Sequence, residues 1–501
     1  MKNIFKIVGI VCCALLVTTK IEAQKKPNIL FILVDDFGYH DISSNGSKIY
    51  QTPNMDALAK TSVSFENGYC SYPRCVPSRY ALMTGTYPVN EDHGDLSKLN
   101  PEQNFIKTFK SNGYSSFFVG KWHLGSDGSS PVGIGYDQSF AAGDAGATDQ
   151  QFYPFNTKRV AGAKGEKAPI EDVEKFAKEG DYLSDVLTKR TIAYIKESKK
   201  DKPFLGVLAF YAVHTPIEAK KEDEARNQKE INAFDFGSTP EYVKEGHAET
   251  KMRQDNAKYA GMVENVDENV GKLIKALKDQ GLYDNTIIVL TSDHGGLSTR
   301  GGKREVATTN FPLRAGKGWL YEGGLRVPLM VHVPNTKPFV DKESIVLGMD
   351  IFPTLTDLAL NKEISGIDGK SFKNIITKKE NWNDRVVYWN SYKARPTQTG
   401  DDKTSAVRKG EYKLLEFVES GKIELYNIKK DSGEQHDLAA TMPEKKAELL
   451  ALLTKWKKDY QIKMKANHKS GGENISPKKE AEMEAKKEAK RAERKAAKKQ
   501  E

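Results

Sequence analysis

A chain of 501 residues with 38% hydrophobic residues, a mean hydropathy of −0.60 and a net charge of +9 has room for one large domain and a smaller one, and is too polar for a membrane protein. The positive charge lies mainly at the ends, with ten Lys or Arg against six Glu in residues 478–501 alone. It therefore argues little for a polyanionic substrate, and no nucleic-acid-binding module is recognisable.

Lys2 and Lys6, the short apolar run 7–17 and the small residue Ala23 read as a secretory signal over residues 1–23. Its removal leaves a periplasmic or secreted protein with no stable membrane insertion; an uncleaved anchor is the alternative. Cys12 and Cys13 leave with the signal, so Cys70 and Cys75 are the only thiols of the mature chain. Two cysteines make no disulfide framework. A local Cys70–Cys75 disulfide is the plain reading, and the motif around Cys75 argues against it.

In chain order, Asn28–Val34 is a continuous apolar run, as expected of a strand buried on both faces. Thr52 and Pro53 predict a helix start, with Thr52 as cap. Residues 115–119 and 204–210 read as strands. Apolar residues at helical spacing from Tyr259 to Leu277 predict a long amphipathic helix inside 251–280. Residues 286–291 and 329–333 are further strands, and 350–360 a helix that tolerates Pro353 in its first turn. Strands alternating with helices predict an α/β fold: a large doubly wound mixed sheet sandwiched by helices. Near residue 381 the pattern changes. Residues 385–392, 405–407, 412–418 and 422–426 predict a short antiparallel sheet, followed by a helix over 443–460. The expected organisation is a catalytic domain over 24–380, a smaller α+β subdomain over 381–462, and a charged tail rich in Lys, Glu and Ala over 463–501, a solvated helix or a disordered segment.

Ligands in such sheets bind beyond the carboxyl ends of the strands. Asp35-Asp36 and Asp293-His294 both follow strands there. Three carboxylates converging at strand ends would make a hard, oxygen-rich site for Ca²⁺ or Mg²⁺, although His294 is an unusual ligand for either. Cys75 precedes a helix opened by Pro77, where the positive potential of the N-terminus favours an oxyanion, and Arg79 adds a fixed charge one turn on. Gly120-Lys121-Trp122-His123-Leu124-Gly125 supplies a cation and a base, His214 follows the strand over 204–210, and Lys317 lies in a glycine-flanked loop expected to be flexible. Each residue alone could as well be a solvated loop group; their recurrence at strand ends is what singles them out.

The runs Asp35-Asp36-Phe37-Gly38-Tyr39, Cys75-Val76-Pro77-Ser78-Arg79, Leu82-Met83-Thr84-Gly85, Gly120-Lys121-Trp122-His123-Leu124-Gly125, His214-Thr215-Pro216, Ser292-Asp293-His294-Gly295 and Gly316-Lys317-Gly318 occur in an order that resembles the type I sulfatases of the alkaline phosphatase superfamily. The resemblance spans Pro27 to about Tyr460. It implies that Cys75 is oxidised to formylglycine by a formylglycine-generating or anaerobic sulfatase-maturating enzyme, and that the hydrated aldehyde is the nucleophile. It further implies one Ca²⁺ held by Asp35, Asp36, Asp293, His294 and the converted Cys75. Arg79 and Lys121 would orient the gem-diol, Lys317 and His214 would bind the sulfate and help protonate the leaving oxygen, and His123 would take the proton that lets the aldehyde re-form. The chain departs from the pattern at Thr86, where an arginine commonly stands, at His40, which replaces a small residue, and at His294, which replaces a frequent Asn.

The expected function is hydrolysis of sulfate esters on carbohydrates, algal polysaccharide or glycosaminoglycan oligosaccharides, with a sulfated saccharide as partner. Two other readings fit parts of the sequence. One is a phosphate or phosphonate ester hydrolase of the same superfamily. The other is a non-catalytic binder of sulfated glycans with Cys75 unmodified.

Overall fold

Asn28–Val34 is buried along its whole length, so both of its faces must be covered by other elements. In the computed structural model, which describes residues 25–462 and 464 apart from 90–95, 101–102, 157–169, 171, 199–201 and 303–304, this strand lies inside an eight-stranded sheet. The order is Phe339–Asp341, Val63–Phe65, Leu329–His332, Thr286–Ser292, Asn28–Val34, Phe204–Ala209, Ser115–Gly120, Gln138–Phe140. Leu329–His332 pairs antiparallel with both of its neighbours, and the other pairings are parallel. The signal at 1–23 and nearly all of the tail at 463–501 lie outside the described residues.

Alternation along the central strand divides the core in two. Leu30, Ile32 and Val34 join Leu187 and Val263, from the helices Leu183–Glu197 and Ala257–Asp279. Ile29, Phe31 and Leu33 face the opposite way, onto Leu82, Phe105 and Phe352 of the helices Cys75–Thr84, Phe105–Ser111 and Ile351–Leu360. At about 1.5–3 kcal/mol for each fully buried aliphatic side chain, these two layers are the main force holding the sheet in place. Pro353 falls in the first turn of its helix, where its missing N–H costs nothing.

Four adjacent parallel strands end on the same edge. Thr286–Ser292 delivers Asp293-His294, Asn28–Val34 delivers Asp35-Asp36, Ser115–Gly120 delivers Lys121, and Phe204–Ala209 leads to His214. The pairing continues past the strand ends, with Asp35 N bonded to Ala212 O at 3.0 Å and Val213 N to Asp35 O at 2.8 Å. The loops bearing His214 and the two aspartates are thus stitched together. At Gly120 the backbone turns at φ +93°, and a Cβ there would lie 1.9 Å from the carbonyl oxygen of Ala209. Gly120→Ala is expected to destabilise the fold by at least ~2 kcal/mol, read as a lower urea midpoint; an unchanged midpoint would refute this account of the turn.

The strands Val386–Ser391, Thr404–Lys409, Tyr412–Phe417 and Ile423–Asn427 form an antiparallel sheet in sequence order. One face packs Val407, Leu414 and Leu425 against Leu449, Leu453 and Trp456 of the helix Pro443–Asp459. The other turns Val387, Trp389, Ala406 and Leu415 onto Trp319, Tyr321 and Leu325 of the larger body. Lys413, fully buried, lies 3.0 Å from both Glu322 and Glu434, and Glu322 also accepts from Tyr69 and Arg326. Removing one partner of such a buried ionic cluster would leave an uncompensated charge.

One expected cap is not made. Thr52 precedes the helix Pro53–Ala59, but its hydroxyl is engaged by Ser43 at 2.8 Å. The free amides of Asn54 and Met55 go instead to the Asp267 carboxylate of the long helix, at 3.1 and 2.7 Å. A carboxylate from a packed neighbour serves better here than a local hydroxyl, because it reaches two donors at once and brings negative charge to the helix N-terminus.

Candidate active site

Cys75 is the first residue of the helix Cys75–Thr84, whose N-cap is Arg74. Its sulfur stands 3.2 Å from His294 Nε2, 3.5 Å from Lys121 Nζ, 3.6 Å from Lys317 Nζ and 3.7 Å from Asp35 Oδ1. Burial alone would push the thiol up. Lys121, Lys317 and His294 outweigh it and hold the thiol well below its ordinary value. Cys70 has no such company. It is buried, its thiol is pushed up, and it makes no disulfide, both cysteines being free.

The carboxylates are held in a mesh of cations. Lys121 Nζ bonds Asp35. Arg79 Nε bonds Asp293 Oδ2 at 3.0 Å, and its other nitrogens reach the Lys121 carbonyl at 2.6 Å and Asp35 Oδ1 at 3.4 Å. Lys317 Nζ lies 2.5 Å from Asp36 Oδ1. His294 Nε2 lies 3.3 Å from Asp36 and 3.6 Å from Asp293, and His214 Nε2 is 3.8 Å from Asp36 Oδ2. Burial and the neighbouring Asp293 push Asp35 well up. For Asp36, Lys317, His214 and His294 overcome burial and hold the carboxyl down. His214 is lowered to about 3, by burial first, against the pull of Asp36. His123 is also lowered by burial, with Cys75 opposing.

The cluster brings together ligand atoms that could hold a metal ion, carboxylate oxygens with a thiol and imidazoles. Ligand atoms of Asp35, Cys75, Asp293 and His294 lie within 4.8 Å of one another, as do those of Asp35, Asp36, Cys75 and His214. Asp36 Oδ2 is buried without a hydrogen-bond partner, an expensive state that a cation would relieve. His123 Nδ1 is likewise buried and unpartnered. Gly146 makes room for that ring, since a Cβ there would lie 2.3 Å from it.

All ten residues singled out from the sequence therefore gather at this one edge of the sheet. Lys317, expected in a flexible loop, is buried and its N–H bonds Gly296 O at 3.0 Å. Two of the three departures from the sulfatase pattern are engaged locally. His40 Nδ1 pairs with Asn45 O at 2.7 Å, and Thr86 pairs with Thr84 at 2.8 Å beyond the helix end. The third, His294, stands at the centre of the site.

Asn310 and Arg74 carried no sequence signal, and Ser78, within the Cys75 motif, carried none for a role of its own. Asn310, fully buried, binds Gly296 O, Ser298 Oγ and Ala315 O through its amide nitrogen and accepts from Gly296 N. It ties the loop bearing His294 to the loop bearing Lys317. Ser78 donates to the Asp293 carbonyl. Arg74 clasps Asp401 at 2.6 Å and Thr399 at 3.0 Å, anchoring the residue before Cys75 to a loop of the C-terminal sheet.

A nucleophilic position at a helix N-terminus, ringed by lysines, histidines and three carboxylates on a doubly wound sheet, defines a hydrolase of anionic esters. The sulfatase family model matches residues 27–361, and the model for the C-terminal part of N-sulphoglucosamine sulphohydrolase matches 315–461. The chain belongs to the sulfatase family and is a sulfuric ester hydrolase. It is 28% identical to a sulfatase of Formosa agariphila, over 90% of this chain and 92% of that one. It is 28% identical to human N-acetylgalactosamine-6-sulfatase, over 67% of this chain and 63% of that one. Among solved structures, Ps i-CgsB in complex with k-i-k-neocarrahexaose aligns with a TM-score of 0.69 and 31% identity, covering 90% of this chain and 97% of that one. No helix among the described residues is long and apolar enough to cross a membrane.

Proposed function

We propose that this protein removes sulfate from sulfated carbohydrate, with Cys75 converted to formylglycine by a maturating enzyme and one Ca²⁺ bound, in the periplasm or outside the cell. The observation that carries the reading is the crowding of Lys121, Lys317, His294 and Asp35 within 3.7 Å of the Cys75 sulfur, at a helix N-terminus where an anion is favoured. The carbohydrate is supported by the match to Ps i-CgsB bound to a neocarrahexaose. We assign the chemistry to residues 24–380, a smaller subdomain to 381–462 and a charged tail to 463–501.

In this reading Asp35, Asp36, Asp293 and His294 would hold the ion together with the converted Cys75. The converted side chain at 75 supplies a hydrated aldehyde as nucleophile, and Ca²⁺ supplies charge neutralisation at the sulfate oxygens. Lys317 and His214 both stand against Asp36, and bind the sulfate and serve the leaving oxygen. Arg79 and Lys121 fix Asp35 and Asp293 by direct bonds, so these carboxylates cannot turn from the ion. His123, kept neutral by burial, is a base beside residue 75 and accepts the proton whose removal re-forms the aldehyde.

A panel of sulfated saccharides, each paired with the matching phosphate ester, tests the assignment. Free sulfate is expected from at least one sugar, with kcat/KM for sulfate exceeding that for phosphate. Preference for the phosphate member of every pair would favour the phosphate or phosphonate ester reading instead.

A further inference from the structure

The loop between the first two strands of the C-terminal sheet lies along the segment that leads into Cys75. Tyr392 packs on Tyr72 with ring centroids 5.0 Å apart. Thr399 and Asp401 clasp Arg74. Gly318 N bonds Pro73 O at 2.8 Å, and Trp319 Nε1 bonds Thr399 O at 2.8 Å. Within this loop the Arg395 carbonyl accepts the amides of Gln398, Thr399 and Gly400 at 3.0, 3.0 and 3.1 Å. The backbone that carries the Arg395 side chain is therefore a fixed post and not a loose tip.

The side chain itself is exposed. Its guanidinium makes a long hydrogen bond, from Nη1 to Gln398 Oε1 at 3.4 Å. The carboxylate nearest in sequence, Asp401, is already taken by Arg74 and Thr399. The guanidinium is only partly shielded from solvent; that shielding, then repulsion from Arg74, lower it, and Cys75 and Asp401 act on it in the opposite sense. Through Thr399 and Asp401, which hold Arg74, the loop that carries it adjoins the residue before Cys75. An exposed guanidinium on a rigid post, on the loop that clasps the residue before the nucleophile, is placed to take an oxyanion in bidentate fashion.

We infer that Arg395 is a specificity-determining residue that binds a second oxyanion of the saccharide, a further sulfate or a uronate carboxylate, while the scissile sulfate lies at Cys75. This rests on the sulfatase reading for the identity of the scissile group but not for the second contact. The substrate class is accordingly a saccharide with at least two anionic groups, one of them outside the reacting centre.

Binding can be measured without turnover in a Cys75→Ala background, using three disaccharides as probes: one monosulfated and otherwise neutral, one disulfated, and one monosulfated with a uronate. Adding Arg395→Ala is expected to weaken the disulfated or the uronate probe by about 10-fold, roughly one charge-assisted contact, and the neutral-backbone probe by less than about twofold. Arg395→Lys should restore part of the loss. Which dianionic probe responds identifies the second group. Equal weakening of all three probes, or of none, overturns the inference. The position is exposed and the variant is expected to unfold at the parental temperature, so a folding defect is separable by circular dichroism. Failure of the sulfatase reading would show separately, as no sulfate release by the parental enzyme carrying converted Cys75.

Discussion

Cys75→Ala is expected to abolish sulfate release, lowering kcat by at least ~10⁴-fold, as for loss of a covalent nucleophile in other hydrolases. No neighbour can replace it. Lys121, Lys317, His294 and Asp35 all approach the sulfur within 3.7 Å, but each is already bonded to a partner in the charge mesh. The fold should survive, because alanine is at home at the first position of a helix and the change removes one buried atom. Thermal unfolding of the variant should therefore stay within a few degrees of the parent, since core deletions of this size cost about 1 kcal/mol. Peptide mass spectrometry of the parent must accompany the assay, because conversion to formylglycine lowers the mass of the Cys75 peptide. Equal sulfate release by parent and variant would remove Cys75 from the mechanism. Full conversion in the parent would dispose of the non-catalytic binder.

Most of the sheet was legible because a strand covered on both faces must be apolar at every position, and Asn28–Val34, Phe204–Ala209 and Thr286–Ser292 are nearly so. Once these strands were recognised, polar residues at their carboxyl ends marked the edge where Asp35, Asp36, Asp293 and His294 gather. The order of strands was not legible, nor was the reversal of Leu329–His332, because periodicity carries no information about partners. The same limit hid the supports of the site. Arg74 and Asp401 are separated by 327 positions, and neither stands in a motif that points to the other. Asn310 resembles any loop asparagine until the structure shows its amide joining two site loops. Thr52 misled for a related reason: its cap depended on Ser43 and Asp267, one on another turn and one on another helix. Of the departures from the family pattern, His40 and Thr86 proved to be engaged locally, which sequence comparison alone could not reveal.

Chelation with EGTA should both silence the enzyme and lower its unfolding temperature, and Ca²⁺ added back should restore both. The electrostatics give the reason. Asp35, Asp36 and Asp293 are fully or nearly fully buried, and Asp36 Oδ2 has no hydrogen-bond partner. Burial and repulsion from Asp293 push the Asp35 carboxyl up, so without a cation the cluster resists full ionisation. A divalent ion that binds only the folded chain stabilises it by about 4 kcal/mol at a thousandfold excess over Kd, a shift of several degrees in a protein of this size. Because the ion displaces the proton that burial and Asp293 favour on Asp35, its affinity should fall as the pH falls through the range in which Asp35 takes up a proton. Asp36→Asn supplies the control: it removes one oxygen charge and the ion pair with Lys317, and should shrink the calcium-dependent shift. An unfolding temperature indifferent to EGTA and calcium in the parent would mean that the acidic cluster is satisfied by Lys121, Arg79 and Lys317 alone, and that the chemistry at residue 75 proceeds without an ion.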